Sequence, residues 1–301
     1  MNQISNIKPI KRNPVYAVLL SFAAPGLGHI YSGKIEKGLI LFSLGFILIP
    51  IALLFYLSVG PKFVYPLFIG GLVFSLLVFV YAAFDAWLIT KQISPDYQLK
   101  RYNLKIIYIA MIIVSLLYPV MFTTYVNQNI IQAFKIPSSS MVPTILPGDY
   151  LLANKAMYQR SGPEQGDIVV FPHPNQRHKI FIKRIIGLPG DTIILKNNIL
   201  TINNKEITQY NRNDKTYTEK NGNAVYHVNW SDTDNKITSF NEMTIPTGFC
   251  FVMGDNRSNS VDSRHFGPIP LRDIMGKAEY IYKPALSWKR FGLIGNELYS
   301  M

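Results

Sequence analysis

Three long stretches without a charged side chain constrain this chain more than any other feature of its sequence. Charges are absent from 38 to 61, from 63 to 84 and from 106 to 126, where Leu, Ile, Phe and Val dominate. A helix of about 20 apolar residues crosses the hydrocarbon core of a bilayer. The sequence therefore predicts transmembrane α-helices at about 38–61, 63–90 and 104–126.

A fourth apolar stretch, from Val15 to Tyr31, is interrupted by Pro25 and Gly26. Such a segment can be a full span, a re-entrant hairpin or an interfacial segment. We favour three spans plus this non-crossing segment. His29 within it is a lone histidine, which we interpret as structural rather than as a ligand.

The basic residues orient these spans, because Lys and Arg are retained on the cytoplasmic side. Three spans leave only Lys62 outside, and if the broken segment also crossed, the basic amino terminus would have to move outside. The basic residues expected inside are Lys8, Lys11, Arg12, Lys34, Lys37, Lys91, Lys100, Arg101 and Lys105. Everything after Val126 is then expected on the far side of the membrane. The broken segment is not expected to be a cleavable signal sequence, since no cleavage site followed by a soluble domain comes after it.

Composition excludes several function classes. The net charge is +12 with a pI near 9.6, but the basic residues form no tract with interleaved aromatics, so we expect anionic lipid rather than nucleic acid as the partner. Cys250 lies in an apolar run and is interpreted as a small buried hydrophobe. The histidines are scattered without other ligands at metal spacing, so no metal and no cofactor are expected.

After Val126 the pattern changes to short alternating runs separated by turns, which predicts a mostly antiparallel β domain. The domains expected are a membrane domain, 1–126, and a β-rich domain, 127–301, with an inserted hairpin lobe at 195–245. Strands are predicted at 167–171, 179–186, 191–195 and 249–253. The lobe, rich in Asn, Thr and Lys, is expected to be weakly constrained.

Chemistry is indicated first by Ser140. Pro137 and Pro143 stiffen its loop, while Met141 and the following apolar residues supply walls. Such a loop can present a hydroxyl together with backbone amides. Taken alone, however, a Ser-rich segment next to Pro is more often a solvated turn.

Lys183 supplies a candidate base. In a strand, alternation places Phe181, Lys183 and Ile185 on one face and Arg184 on the other. An apolar face disfavours the ammonium form, and a general base must be neutral. Alone, this lysine would more often be a surface residue whose head reaches solvent.

A third stretch, 254–264, carries the supporting groups. Ser260 could hydrogen-bond the lysine amine, and Asp262 and Arg264, two residues apart, could form a fixed ion pair beneath the site. Without the other two stretches, this one would be a polar loop.

Together these stretches resemble the ordered signature boxes of bacterial type I signal peptidase, also called leader peptidase. The resemblance covers roughly Phe134 to Pro270, and five boxes carry it: Ser138 to Met141, Gly166 to Phe171, Phe181 to Arg184, Arg184 to Asp191, and Gly254 to Arg264. It implies a mostly β catalytic fold, a Ser140 nucleophile and a Lys183 general base. It also implies an oxyanion hole made by the Ser140 amide and the Ser138 hydroxyl, with Ser260 orienting the lysine and Asp262 and Arg264 in support.

The same resemblance implies a substrate and a place. The substrate would be an exported preprotein cut after small residues, typically Ala, one and three positions before the bond. Shallow apolar pockets would exclude larger side chains, and the positions that match them are Phe134, Ile136, Pro137, Met141, Ile145, Phe181 and Ile182. The chain would be a multi-pass protein of the bacterial cytoplasmic membrane with an extracytoplasmic catalytic domain.

The membrane part departs from the family pattern of one or two anchoring helices. Its broken segment resembles small two-helix membrane modules, and it could recruit substrates or a partner such as the secretion machinery.

Four alternatives remain open at the sequence level: a relative that matures one dedicated substrate, an inactive signal-sequence-binding homologue, a channel with a β appendage, and a Ser/His/Asp site using His265 and Asp262. The six intact site residues argue against the inactive homologue, and the uncharged spans argue against the channel.

Overall fold

The structure, a computed structural model, describes residues 11–59, 64–95, 97–159, 161–212, 216–230 and 239–294. The chain divides into two compact units, Met1–Thr124 and Tyr125–Met301. Two basic residues of the topology argument, Lys8 and Lys62, lie outside the described residues. The end of the first predicted span and the start of the second, at 60–63, lie outside them as well.

The first unit is helical. Its helices are α1 (Pro14–Ala23), α2 (Leu27–Tyr31), α3 (Ile35–Val59), α4 (Val64–Lys91) and α5 (Lys105–Asn129), the last of which continues into the second unit. Within the described residues, Ile69–Lys91 and Lys105–Asn129 are long and apolar enough to cross a membrane. The predicted span at 63–90 falls on α4, the one at 104–126 on α5, and the one at 38–61 largely on α3.

The interruption predicted in the fourth apolar stretch separates α1 from α2. Gly26 takes a left-handed conformation with φ 91°, which favours glycine. A Cβ on Gly26 would lie 2.0 Å from the Gly38 carbonyl oxygen, and a Cβ on Gly28 would lie 2.2 Å from that of Ala17. These glycines therefore allow the short helices to pack backbone against backbone.

A line of polar side chains, which we call the polar seam, crosses this helical packing. It consists of His29, Ser32, Lys37, Asp85 and Thr90. The Asp85 carboxylate contacts His29 Nε2 at 2.6 Å and Lys37 Nζ at 2.7 Å. The Ser32 and Thr90 hydroxyls lie 2.6 Å apart. His29 is fully buried, so its imidazole serves the internal packing of the unit.

The described part of the second unit consists mainly of strands, with one short α-helix and several short 3-10 helices. The strands are β1 (Ile131–Lys135), β2 (Tyr150–Asn154), β3 (Ile168–His173), β4 (Gln176–Gly187), β5 (Thr192–Lys196), β6 (Ile199–Ile202), β7 (Lys205–Glu206), β8 (Thr208–Asn211), β9 (Thr216–Asn221), β10 (Ala224–Val228), β11 (Phe240–Thr244), β12 (Phe249–Met253), β13 (Ile269–Pro270), β14 (Gly276–Lys283) and β15 (Gly292–Leu293), and the helix is α6 (Ser263–Phe266). The main sheet has the order β1-β2-β14-β3-β4-β12-β13, with β15 paired to β14. Every ladder between these strands is antiparallel, which confirms the predicted mostly antiparallel β fold.

Burial on both faces fixes the strands that carry the site. Ile168 and Val170 of β3 pack into one apolar cluster, while Val169 and Phe171 pack into another on the opposite face. β4 pairs along β3 and starts at Gln176, three residues before the predicted strand. Strand β4 thus lies in the middle of a rigid sheet.

The inserted lobe is more tightly built than its polar composition indicates. With β5 at its start, the lobe forms a four-stranded sheet, β11-β5-β6-β7, and a three-stranded sheet, β10-β9-β8. Leu200 and Ile202 pack with Ile186 and Phe251 of the main sheet. On β9, Glu219 is completely buried. The lobe is polar because many outward positions face solvent, whereas its inward residues join the core.

Cys250 lies fully buried in β12 without a disulfide. Burial raises the pKa of its thiol to about 12. A thiol with so little thiolate is not a nucleophile at neutral pH.

Candidate active site

Ser140 lies in the connection between β1 and β2, which backbone hydrogen bonds close at its base. Ile136 N donates to Asp149 O at 2.8 Å, and Gly148 N donates to Ile136 O at 2.7 Å. The buried Asp149 carboxylate accepts a hydrogen bond from Arg290 Nη1 at 2.8 Å. The loop carrying the serine is therefore fixed rather than a solvated turn.

Lys183 lies on β4, directly opposite Val169 of β3. Its side chain is in a buried position, with the residue 4% exposed. Lys183 Nζ donates to Ser140 Oγ at 2.8 Å and to Ile182 O at 3.0 Å. It also lies 5.1 Å from the centre of the Phe181 ring. The structure thus brings together the two residues proposed as nucleophile and base.

Burial prepares this lysine for proton transfer. Desolvation lowers the pKa of Lys183 to about 8, against the opposing effect of the Asp262 and Asp255 carboxylates. With such a pKa, roughly a tenth of the lysine is the free amine at pH 7. A neutral amine within hydrogen-bonding distance of a hydroxyl can accept its proton.

Two asparagines donate hydrogen bonds to the segment of three consecutive serines, 138–140, which we call the serine run. Asn256 donates through its backbone N–H to Ser140 O at 3.1 Å and through Nδ2 to Ser139 O at 3.1 Å. Asn259 Nδ2 donates to Ser139 Oγ at 3.0 Å. The Ser138 and Ser140 hydroxyl oxygens are 3.2 Å apart. Both serines line the same cleft. The sequence pattern predicts roles for Ser260, Asp262 and Arg264 in the 254–264 stretch but does not predict these asparagine contacts.

Asp262 and Arg264 form a buried ion pair under the site. Arg264 Nε and Nη2 donate to the two carboxylate oxygens at 2.8 and 2.9 Å, and Gly254 N donates to Asp262 Oδ2 at 3.0 Å. Burial opposes the charge, but the hydrogen bonds from Arg264 keep the pKa of Asp262 below its ordinary value. A Cβ on Gly254 would lie 2.3 Å from Ser260 Oγ and 2.4 Å from Ser140 O, so this close approach requires glycine.

Ser260 borders the cleft but does not bond the lysine. Among the described residues its buried hydroxyl has no hydrogen bond of normal geometry. It lies near enough to Asp262 to help lower the pKa of that carboxyl. The orienting bond to Lys183 expected from the resemblance is therefore not formed here.

A second buried pair, unforeseen in the sequence, ties the serine loop to β4. Arg184 Nε and Nη2 donate to the Asp255 carboxylate at 2.8 and 2.6 Å, and Thr144 Oγ1 donates to the same carboxylate at 2.5 Å. Although burial opposes it, Asp255 raises the pKa of Arg184. Alternation along β4 indicated that Arg184 faces away from Lys183 but could not identify its partner.

A cleft of about 590 Å³ lies over the serine and lysine. All seven apolar residues predicted to bind substrate line it, together with the polar groups of the site. They are Phe134, Ile136, Pro137, Met141, Ile145, Phe181 and Ile182. The walls are thus largely apolar, and the reacting groups lie among them.

His265 also lines the cleft, but the Ser/His/Asp alternative lacks its central contact. The hydrogen-bond partners of Ser140 Oγ are Lys183 and Ser138. His265 Nδ1 instead lies 4.0 Å from Asp262 Oδ1. In the part of the chain that the structure describes, no three His, Cys, Asp or Glu residues are grouped as a metal site.

Comparisons with known proteins identify the family of this chain. The sequence profile of a family described as "Signal peptidase, peptidase S26" matches residues 105–283. "Signal peptidase I" of Aquifex aeolicus is 37% identical, over 56% of this chain and 82% of its own. "Signal peptidase I" of Bacillus caldolyticus is 34% identical, over 59% of this chain and 88% of its own.

A solved structure of a signal peptidase I from Enterococcus faecalis V583 is 31% identical in sequence. It covers 39% of this chain and 97% of the solved chain, with a TM-score of 0.30. The family match extends over more than half of the chain, and the Aquifex relative is matched over most of its length. The chain therefore belongs to the S26 family of signal peptidases, the enzymes that remove signal peptides from exported preproteins.

Proposed function

We propose that this chain removes signal peptides as a serine endopeptidase with Ser140 as nucleophile and neutral Lys183 as general base. One observation carries the assignment: the 2.8 Å contact between Lys183 Nζ and Ser140 Oγ, with the lysine buried and its pKa lowered to about 8 by that burial. A surface lysine would remain an ammonium group and could not accept a proton.

The chemistry follows from these two atoms. Lys183 Nζ takes the hydroxyl proton as Ser140 Oγ attacks the carbonyl carbon of the scissile bond. The resulting oxyanion would be held by the Ser140 amide and the Ser138 hydroxyl. Lys183 then gives its proton to the leaving amine. Water, deprotonated by the same lysine, releases the signal peptide from the acyl-enzyme and restores Ser140.

Specificity for small residues is assigned to the apolar walls of the cleft. Met141 and Ile145 are buried behind Ser140, and Ile136 is buried beside them. Pockets walled by these bulky side chains are shallow, so they accept a methyl group but not a large side chain. This supports cleavage after Ala-X-Ala sequences.

The domain assignment is part of the same proposal. Residues 1–126 would anchor the enzyme in the bacterial cytoplasmic membrane, and residues 127–301, with the lobe at 195–245, would form an extracytoplasmic catalytic domain. Leu286 is 82% exposed and Trp288 67% exposed in the second unit. Apolar and indole side chains favour the lipid interface, which supports contact with membrane lipid. The helical unit could also contact the secretion machinery.

The test is cleavage of a panel of unrelated Ala-X-Ala preproteins by the full chain in liposomes, with the cut site read by mass spectrometry. Ser140→Ala and Lys183→Ala should each abolish cleavage. Lys183→Arg should do the same, because a guanidinium is not deprotonated in a protein. Lys179→Ala, at an exposed position of the same strand, is the matched control and should retain activity. Normal turnover by Lys183→Arg would exclude Lys183 as the base, and cleavage of a single panel member would favour a dedicated substrate.

A further inference from the structure

A buried carboxylate of the lobe contacts the 254–264 loop, which packs against the active site. Glu219 on β9 and Arg257 are both fully buried, and the two side chains pair through both guanidinium ends. We propose that Glu219 is a positioning residue, which through Arg257 fixes the 254–264 loop against Ser140 and Lys183. The inference rests on the proposed function of these two residues.

The first step runs through the arginine side chain. Arg257 Nη2 donates to Glu219 Oε2 at 2.6 Å, and Arg257 Nε donates to Gly254 O at 3.1 Å. The carboxylate therefore sets the direction of the guanidinium, and the guanidinium holds the Gly254 peptide. Although burial opposes the charge, Glu219 raises the pKa of Arg257, so the guanidinium remains a cation.

The second step runs through the Gly254 peptide and the Arg257 backbone. Gly254 packs directly on the Ser140 carbonyl and donates its N–H to Asp262. Arg264 Nη2 donates to Arg257 O at 2.7 Å while it pairs with Asp262. Asp262 and Arg264 act in opposite senses on the pKa of Lys183, behind the larger effect of burial. A displacement of Arg257 would therefore disturb the position of Ser140 through Gly254 and the charges near Lys183 through Asp262 and Arg264.

The lobe reinforces this path through its backbone and its aromatic rings. Asn229 N donates to Asp255 O at 2.8 Å, and Asn229 forms an isolated parallel bridge with Asn256. The Arg184 guanidinium lies 3.8 Å from the centre of the Tyr226 ring. Glu219 on β9, Tyr226 on β10 and Asn229 directly after β10 thus contact residues of the β4 strand and the 254–264 loop.

The position of Glu219 also predicts which kinetic constant changes. Glu219 does not line the cleft, whose walls come from the end of β1, the serine loop, β4 and the 258–265 segment. Its loss should leave substrate binding nearly intact while it disturbs the serine–lysine geometry. Misplacement of a catalytic group by about 1 Å can cost about 10²-fold in rate.

The first test is Glu219→Gln in the full chain, with Lys220→Gln on the exposed side of the same strand as matched control. We expect kcat to fall about 10²-fold and KM to change less than about threefold. Hydrogen exchange of the 254–264 segment should become faster, because its anchoring ion pair is lost. The control should match the unmodified chain in all three. A Glu219→Gln variant with unchanged kcat would overturn the proposal. If it does not fold, Glu219→Asp decides by the same criterion.

A double variant separates positioning from mere stability. Replacing both members of a buried ion pair by apolar side chains often restores stability that loss of one partner removes. In Glu219→Leu/Arg257→Met we expect the melting temperature to recover but kcat to remain low, because a thioether cannot donate to Gly254 O. Recovery of both would reduce the pair to a structural role and overturn the proposal. If the unmodified chain cleaves no preprotein, the proposed function of Ser140 and Lys183 fails, and the exchange rates alone decide whether Glu219 holds the loop.

Discussion

Replacing the buried lysine should stabilise the protein while it destroys activity, and the gain should depend on pH in a way that identifies the lysine pKa. The perturbation is Lys183→Met, which keeps the length of the side chain and removes its charge. A lysine has a pKa of 10.5 when freely solvated, and burial lowers the pKa of Lys183 to about 8. Between these values the unfolded chain binds a proton that the folded chain does not.

The magnitude follows from the two pKa values. At 1.36 kcal/mol per pKa unit, the difference corresponds to about 3 kcal/mol of destabilisation by the buried ammonium group. Below about pH 8 this cost is present in full, since both states are protonated. It disappears as the pH rises to about 10.5, because the stability of a chain increases with pH where the unfolded state binds more protons. The Lys183→Met advantage should therefore shrink by about 3 kcal/mol between pH 7 and pH 11.

The assay is urea unfolding of the full chain and of Lys183→Met in detergent, followed by the fluorescence of Trp230 and Trp288 in the second unit. Other groups with shifted pKa values, such as Cys250, are common to both proteins and cancel in the difference. Lys220→Met, at an exposed lysine, should show no pH-dependent gain. Parallel stability curves for the unmodified chain and Lys183→Met from pH 7 to pH 11 would refute the lowered pKa. In the unmodified chain, kcat/KM should rise with pH to a plateau above about pH 8.

Three further substitutions test the packing. Gly254→Ala should reduce kcat at least about 10²-fold, because its Cβ would lie 2.4 Å from Ser140 O and must displace the serine run. Asp255→Asn should lower the free energy of unfolding by about 3–5 kcal/mol, since it leaves the buried Arg184 cation uncompensated. Gly28→Ala should lower the melting temperature of the helical unit, because a backbone oxygen of α1 stands 2.2 Å from the added Cβ.

Each of these substitutions has a matched control in the chain. Gly162→Ala and Gly70→Ala add a Cβ with no atom within 4 Å and should be close to neutral. Asp273→Asn breaks a pair with an exposed arginine, Arg177, and exposed pairs contribute less than about 1 kcal/mol. Equal effects in a test variant and its control would mean that the close contact or burial described here does not determine the outcome.

The sequence predicted the strands around the site well because their patterns depend on local rules. Alternation in 181–185 indicated a lysine on an apolar face, and the structure places Lys183 in a buried position of β4. The break at Pro25 and Gly26 likewise indicated the end of α1. Local conformation and the facing of side chains follow from spacing along the chain.

Pairings across the chain could not be predicted in this way. Arg184 pairs with Asp255, which is 71 residues away in the sequence, and Arg257 pairs with Glu219, which is 38 residues away. Nothing in the Asn-, Thr- and Lys-rich lobe distinguishes Glu219 from its exposed neighbours, because a buried carboxylate and a solvated one have the same local pattern. Only the fold identifies the arginine that each carboxylate neutralises.

The polar seam makes the broken amino-terminal segment an integral part of the packing of the helical unit. His29 and Ser32 meet their partners on α4, and Lys37 on α3 shares the Asp85 carboxylate with His29. A chain shortened to begin after Ser32 would take His29 away from Asp85 and Ser32 away from Thr90, where the loss of a buried hydrogen-bond partner is costly. Shortening this protein to a simple anchor would therefore require new residues at Asp85 and Thr90, not only a new start.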